Sequence, residues 1–103
     1  MSVLTITDSN FDKEVMGSEK PVIIDFYAEW CGPCKMMSPV IDKIAEELGD
    51  TVKVGKVNSD ENPQLVEQFE IMSIPTIFIF KNGEISKKFI GFTDKQEIID
   101  AVK

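Results

Sequence analysis

The sequence predicts an α/β domain: a central mixed β-sheet flanked by α-helices on both faces, with elements in the order βαβαβαββα. Three observations carry that expectation. The run "PVIIDFYA" (21–28) is almost continuously apolar, as expected of a strand buried on both faces in a helix-covered sheet. Strand-like and helix-like stretches alternate through residue 69, which implies parallel pairing through helical crossovers. Finally, Asn82-Gly83 separates "TIFIF" (76–80) from "ISKKFI" (85–90). Both residues tolerate the positive φ of a tight turn, so the sheet should gain an antiparallel strand there. The 103 residues suit a single domain, 1–103, with one core.

Each element has a local reason. "VLTIT" (3–7) is rich in β-branched residues and alternates loosely, so it reads as a short strand. "DSN" (8–10) offers N-cap candidates for a short helix through Met16, with Gly17 as its stop. After "WCGPC" (30–34), Met37, Val40, Ile41, Ile44, Ala45 and Leu48 follow helical spacing and Gly49 closes the helix. Pro39 inside it lacks an N–H and crowds the carbonyl four residues back, which predicts a kink. "TVKVGKVN" (51–58) reads as a strand. Asn62-Pro63 reads as an N-cap followed by proline at the first helical position, ahead of Leu65, Val66 and Phe69. "TDKQ" (93–96) has the pattern of a capping box opening a last helix with Ile98, Ile99 and Val102 on one face.

Composition narrows the function. The formal net charge is −7, and only "SKK" (86–88) is locally basic. That argues against nucleic acid or an anionic membrane as partner and reads best as a solvated strand face. No apolar run approaches the ~20 residues of a membrane span. "MSVLTITDSNFDKEV" has neither a basic n-region nor a long apolar h-region, so no signal peptide is read. The expected compartment is the cytoplasm, where a permanent disulfide is disfavoured and a lone CxxC points to redox or metal chemistry.

Cys31 and Cys34 are the only cysteines, and there is no histidine. A structural zinc site needs about four Cys or His ligands, so no metal is expected. Residues at i and i+3 of a helical turn are neighbours at ~5–6 Å, close to what a disulfide requires, so a small adjustment opens or closes the pair. Gly32 permits the turn and Pro33 limits its freedom. A helix N-terminus presents unpaired N–H groups and partial positive charge, which stabilise a thiolate, the nucleophilic form. Cys31 at the helix threshold is the candidate attacking thiol. Cys34, inside the first turn and more shielded, is the candidate resolving thiol.

The stretches "DFYAEWCGPCK" (25–35), "KVNSDENP" (56–63), "SIPTIFIFKNGE" (73–84) and "FIGF" (89–92) together resemble the thioredoxin family, in order and in spacing, over essentially the whole chain. The resemblance implies a thioredoxin-like fold and a protein-disulfide reductase whose substrates are disulfide-containing proteins. It implies no bound cofactor. Electrons would come from a thioredoxin reductase, commonly an NADPH-dependent flavoenzyme, and the chain is expected to act as a monomer. By resemblance Cys31 and Cys34 are the redox pair, Asp25 is the family's buried carboxylate and Lys56 its nearby lysine. Pro75 is its cis-proline, and Trp30, Gly32, Pro33, Ile74 and Gly91 belong to the apolar docking surface. Tyr27 stands where tryptophan is more usual, and Met72 and Ser73 also depart from the common pattern. These departures bear on partner preference.

Several residues admit two readings. Asp25 is either one half of a structural ion pair with Lys56 or a proton acceptor for Cys34, since burial raises a carboxyl pKa and a base there helps form the resolving thiolate. The resemblance favours the second. Pro75 suits a first strand position in either isomer. Trp30 can pack, dock substrate, or both. For the whole chain, the rivals to a reductase are a disulfide isomerase or oxidase, and a binding subunit that uses the same surface without electron transfer.

Overall fold

The computed structural model describes residues 3–103, so residues 1 and 2 of the expected domain lie outside the described part. Strands β1 (Leu4–Thr5), β2 (Val22–Tyr27), β3 (Lys53–Asn58), β4 (Thr76–Lys81) and β5 (Glu84–Ile90) form one sheet in the order β1-β3-β2-β4-β5. β1 and β2 pair parallel with β3, whereas β4 is antiparallel to β2 and β5 to β4. The helices are α1 (Gly32–Leu48), α2 (Pro63–Gln68) and α3 (Lys95–Val102), preceded by a single π-helical turn, Asp12–Met16.

The reversal at β4 has a simple cause. A parallel crossover needs a helix that carries the chain back along the sheet. Six residues of α2 advance ~9 Å, against ~20 Å for a six-residue strand, so the chain enters β4 from the end at which it left β3. At the following turn, Asn82 and Gly83 have φ of 55° and 80°, the conformation the Asn-Gly pair predicts.

β2 is the central strand, and its alternation builds two cores. Ile23 faces Met37, Ile41 and Ile44 of α1 and Ile98 of α3. Ile24 and Phe26 face the opposite side with Phe11, Phe78 and Phe80, where rings pack at tilted and edge-on angles, Phe26 and Phe78 with centroids 5.8 Å apart. Lys87 and Lys88 on edge strand β5 are exposed, in keeping with the solvated reading of "SKK".

Five local expectations are corrected. β1 is shorter than 3–7 because the Asn10 side chain takes the groups that would extend it: Oδ1 accepts from the Thr7 N–H at 2.7 Å and Nδ2 donates to the Thr5 carbonyl at 3.0 Å. Asn10 therefore closes a turn rather than capping a helix. β3 begins at Lys53 rather than Thr51, because Gly49–Thr51 form a 3-10 turn. Asn62 precedes α2 but makes no side-chain cap; the cap comes from Asp8, whose carboxylate accepts from the N–H groups of Gln64 and Leu65 at 3.3 and 2.9 Å. The capping box at Thr93 does not form either. Its hydroxyl donates back to the Gly91 carbonyl at 3.1 Å and the N-cap position passes to Asp94. α1 continues through Pro39 as one 17-residue helix.

Candidate functional site

The site assembles where β2 ends and α1 begins. Tyr27 closes the strand, and the Cys31 N–H donates to the Ala28 carbonyl at 3.2 Å, folding residues 28–31 into a turn. Cys31 is the N-cap of α1, in extended conformation (φ −90°, ψ 116°), and its Sγ accepts from the Cys34 N–H at 3.2 Å. One of the otherwise unpaired N–H groups of the helix start is thus aimed at the sulfur that would carry thiolate charge. Gly32 and Pro33 fill the first two helical positions and are exposed. Cys31 and Cys34 are joined as a disulfide, with Cα atoms 5.2 Å apart.

The sulfurs differ less in access than the sequence suggests. Cys31 is 5% exposed and Cys34 2%. Both sit in a small apolar cluster with Ala28, and Tyr27 and Ile74 pack against it. Trp30 beside them is 71% exposed, its ring held by an indole N–H that donates to Asp60 Oδ2 at 2.9 Å.

The Ile74–Pro75 peptide bond is cis. It places the Ile74 carbonyl oxygen 3.8 Å from Cys31 Sγ, although the two residues are far apart in sequence. Gly91, at φ 87°, donates its N–H to the Pro75 carbonyl at 2.8 Å, and the positive φ explains why glycine suits that position. Trp30, Met72 and Ile74 line one shallow cleft of about 170 Å³. Tyr27, Cys34, Lys35 and Ser38 line another of about 390 Å³ on the α1 side.

Asp25 lies on the face of β2 that α1 covers, in register with Lys56 of β3 and Ile77 of β4. It is 1% exposed, and neither carboxylate oxygen has a hydrogen-bond partner. Desolvation pushes its pKa from 3.8 up to about 7, partly opposed by the Lys56 ammonium and reinforced by Asp42. Lys56 does not hydrogen-bond Asp25. Its Nζ bonds Ser38 Oγ at 2.5 Å and Asp42 Oδ1 at 3.1 Å, so the direct ion pair considered from the sequence is not formed. Burial likewise raises the Tyr27 pKa, with Glu29 adding to the rise and a hydrogen bond with Asn58 opposing it. Among the described residues, no group of three or more His, Cys, Asp or Glu is placed to hold a metal ion.

The thioredoxin family model matches residues 2–103. The chain belongs to the thioredoxin family. It is 54% identical to a thioredoxin of Rickettsia felis over 95 residues, covering 92% of this chain and 90% of that protein. Identity to a thioredoxin of Alicyclobacillus acidocaldarius is 48% over 97 residues, covering 94% and 91%. Identity to one of Porphyra purpurea is 48% over 98 residues, covering 95% and 92%. Like other members of the thioredoxin family it is a thiol–disulfide oxidoreductase, a protein-disulfide reductase that acts on disulfide-containing proteins. The family needs no bound cofactor.

The structure brings Cys31, Cys34, Trp30, Ile74 and Pro75 to one end of the sheet in this family member, with Gly91 joined to them through Pro75. Sequence reasoning did not single out Ser38 and Asp42, the partners of Lys56, or Asp60, the partner of Trp30. Asp42 leaves a faint trace as a charge directly after Ile41 in the apolar stripe of α1, but its contact with β3 is not a local property of the sequence.

Proposed function

We propose that Cys31 is the attacking thiol and Cys34 the resolving thiol, with Asp25 as the acceptor of the Cys34 proton. The Cys31 thiolate attacks one sulfur of a substrate disulfide. A Cys31–substrate bond forms, the substrate S–S bond breaks, and the other substrate sulfur leaves as a thiolate. Cys34 then loses its proton to the Asp25 carboxylate, directly or through a water, and attacks Cys31 Sγ. The Cys31–Cys34 bond forms, the mixed disulfide breaks, and the second substrate thiolate departs. The pair has given up two electrons and the substrate has gained them.

The single observation that carries this reading is the unpartnered, buried carboxylate of Asp25 under α1. Cys34 heads the stripe Cys34, Met37, Ile41 that covers the Ile23 and Asp25 side of β2. A buried carboxyl that titrates near neutrality can both take and release a proton at the working pH. Trp30, Ile74, Pro75 and Gly91 supply the docking surface in this reading. The Ile74 carbonyl beside Cys31 suits backbone pairing with an extended substrate segment. Gly32 and Pro33 tune the potential by setting the geometry of the loop, and Lys56 tunes Asp25. A thioredoxin reductase, an NADPH-dependent flavoenzyme, re-reduces the pair. The chain works as a single-domain monomer in the cytoplasm. No helix among the described residues is long and apolar enough to cross a membrane, which is compatible with that placement.

Trapping tests the order of attack. With a model protein disulfide, Cys34→Ser accumulates a mixed disulfide visible on non-reducing gels and by mass spectrometry, and Cys31→Ser accumulates none. Trapping by Cys31→Ser alone reverses the assignment. Turnover with NADPH and a purified thioredoxin reductase tests the electron donor.

A further inference from the structure

Lys56 is the nearest cation in register with Asp25 and on the same side of the sheet. A lysine side chain has the reach to pair with a carboxylate on the adjacent strand, and a buried, unpartnered carboxylate attracts it strongly. Yet Nζ is turned toward α1, where it donates to Ser38 Oγ at 2.5 Å and to Asp42 Oδ1 at 3.1 Å, and both Asp25 oxygens are left without partners. We propose that Ser38 and Asp42 form a clamp that holds the Lys56 ammonium on α1 and so keeps it from pairing with Asp25. These are positioning residues. Their importance for turnover rests on the reading of Asp25 as proton acceptor.

The two halves of the clamp are unequal. The Asp42 side chain is 57% exposed, against 20% for Lys56. An ion pair at such a site is weakened by water and screened by salt. Ser38 is half-buried, in the wall of the cleft that Cys34 also lines, so its bond to Lys56 is the better shielded anchor. Ser38 is also uncharged, and replacing it moves the lysine without changing the number of charges near Asp25. The charges that act on Asp25 are Lys56 from β3 and Asp42 from α1. Tyr27 lies two residues along its own strand, Cys34 is the thiol whose proton is at issue, and β4 opposes Asp25 with Ile77, which does not titrate.

The arrangement keeps the carboxylate available. A lysine bonded to Asp25 would hold it ionised to lower pH and make it a poorer base. A lysine held one step away offsets part of the effect of desolvation without cancelling it. Ser38→Ala tests this, and alanine is the better helix former, so the fold is retained. The Asp25 carboxyl is titrated by carbon NMR in the oxidised full-length chain. In Ser38→Ala the released ammonium moves toward Asp25, and the titration midpoint falls by ~1 pH unit from its value near neutrality. Ser38→Thr, which keeps the hydroxyl, restores the parent midpoint. An unchanged or raised midpoint in Ser38→Ala overturns the clamp. Stopped-flow resolution of the mixed disulfide against pH is a separate readout. A midpoint that falls while the resolution profile stays in place supports the clamp and overturns the proton-acceptor reading of Asp25 instead.

Discussion

Replacing Asp25 with asparagine keeps the size of the side chain and removes both its charge and its basicity. The stability consequence follows from linkage. Asp25 titrates near 3.8 when solvated and near 7 in the fold. Between those values the folded state holds a proton that the unfolded chain has released, so this residue's contribution makes stability fall as pH rises through that window. Below about 4 both states are protonated and the penalty is absent. Above about 7 it is fully present. At ~1.4 kcal/mol per pH unit, the penalty reaches up to ~4 kcal/mol. Asparagine leaves a buried polar group comparable to the protonated acid, so its own burial cost largely cancels in the comparison. Asp25→Asn should therefore match the parent near pH 4 and gain stability progressively toward pH 8, by a few kcal/mol. Denaturant melts of the oxidised protein across that range measure the gain. The same substitution removes the base for Cys34, so resolution of the mixed disulfide should slow by roughly 100-fold near neutral pH. The defect should shrink at higher pH, where the thiol ionises unaided. A variant that resolves at the parent rate at every pH and melts earlier at neutral pH would refute the reasoning and make Asp25 a structural partner.

Two further outcomes are expected. Pro33→His adds a potential positive charge beside Cys31, which stabilises the thiolate and so the reduced form; equilibration with glutathione should show a higher potential than the parent, and an unchanged or lower one counts against the argument. Asp8→Ala removes the acceptor for the first N–H groups of α2 and should cost ~1 kcal/mol in denaturant melts, while Asp8→Asn should keep most of that stability. Equal losses in the two variants would show that the cap is not what Asp8 contributes.

Much of the site was legible because its requirements are local. A CxxC at a helix start, a glycine and proline in the first turn, an Asn-Gly hairpin and one acid in an apolar strand each follow from short-range geometry or from periodicity. Sequence therefore determined the redox pair, the central strand, the burial of Asp25 and the alternation of layers. The partner of a side chain that has several candidates is decided by which elements come to lie side by side. Lys56 had Asp25 in register on the next strand but bonds Ser38 and Asp42 on α1. Asn62 had the right position to cap α2, yet its Oδ1 accepts from the Asp8 N–H at 2.9 Å and Asp8 supplies the cap from across the fold. Thr93 matched a capping box, but its N–H meets Met37 Sδ at 3.5 Å and its hydroxyl turns back to Gly91. For Asn62 and Thr93 the competing options use bonds of similar strength, ~1 kcal/mol net. Packing, which fixes the backbone first, selects the partner that is within reach. The isomer at Pro75 and the Ile74 carbonyl it sets beside Cys31 belong to the same class. The sequence placed a proline before β4, and only the assembled sheet put it opposite the cysteines.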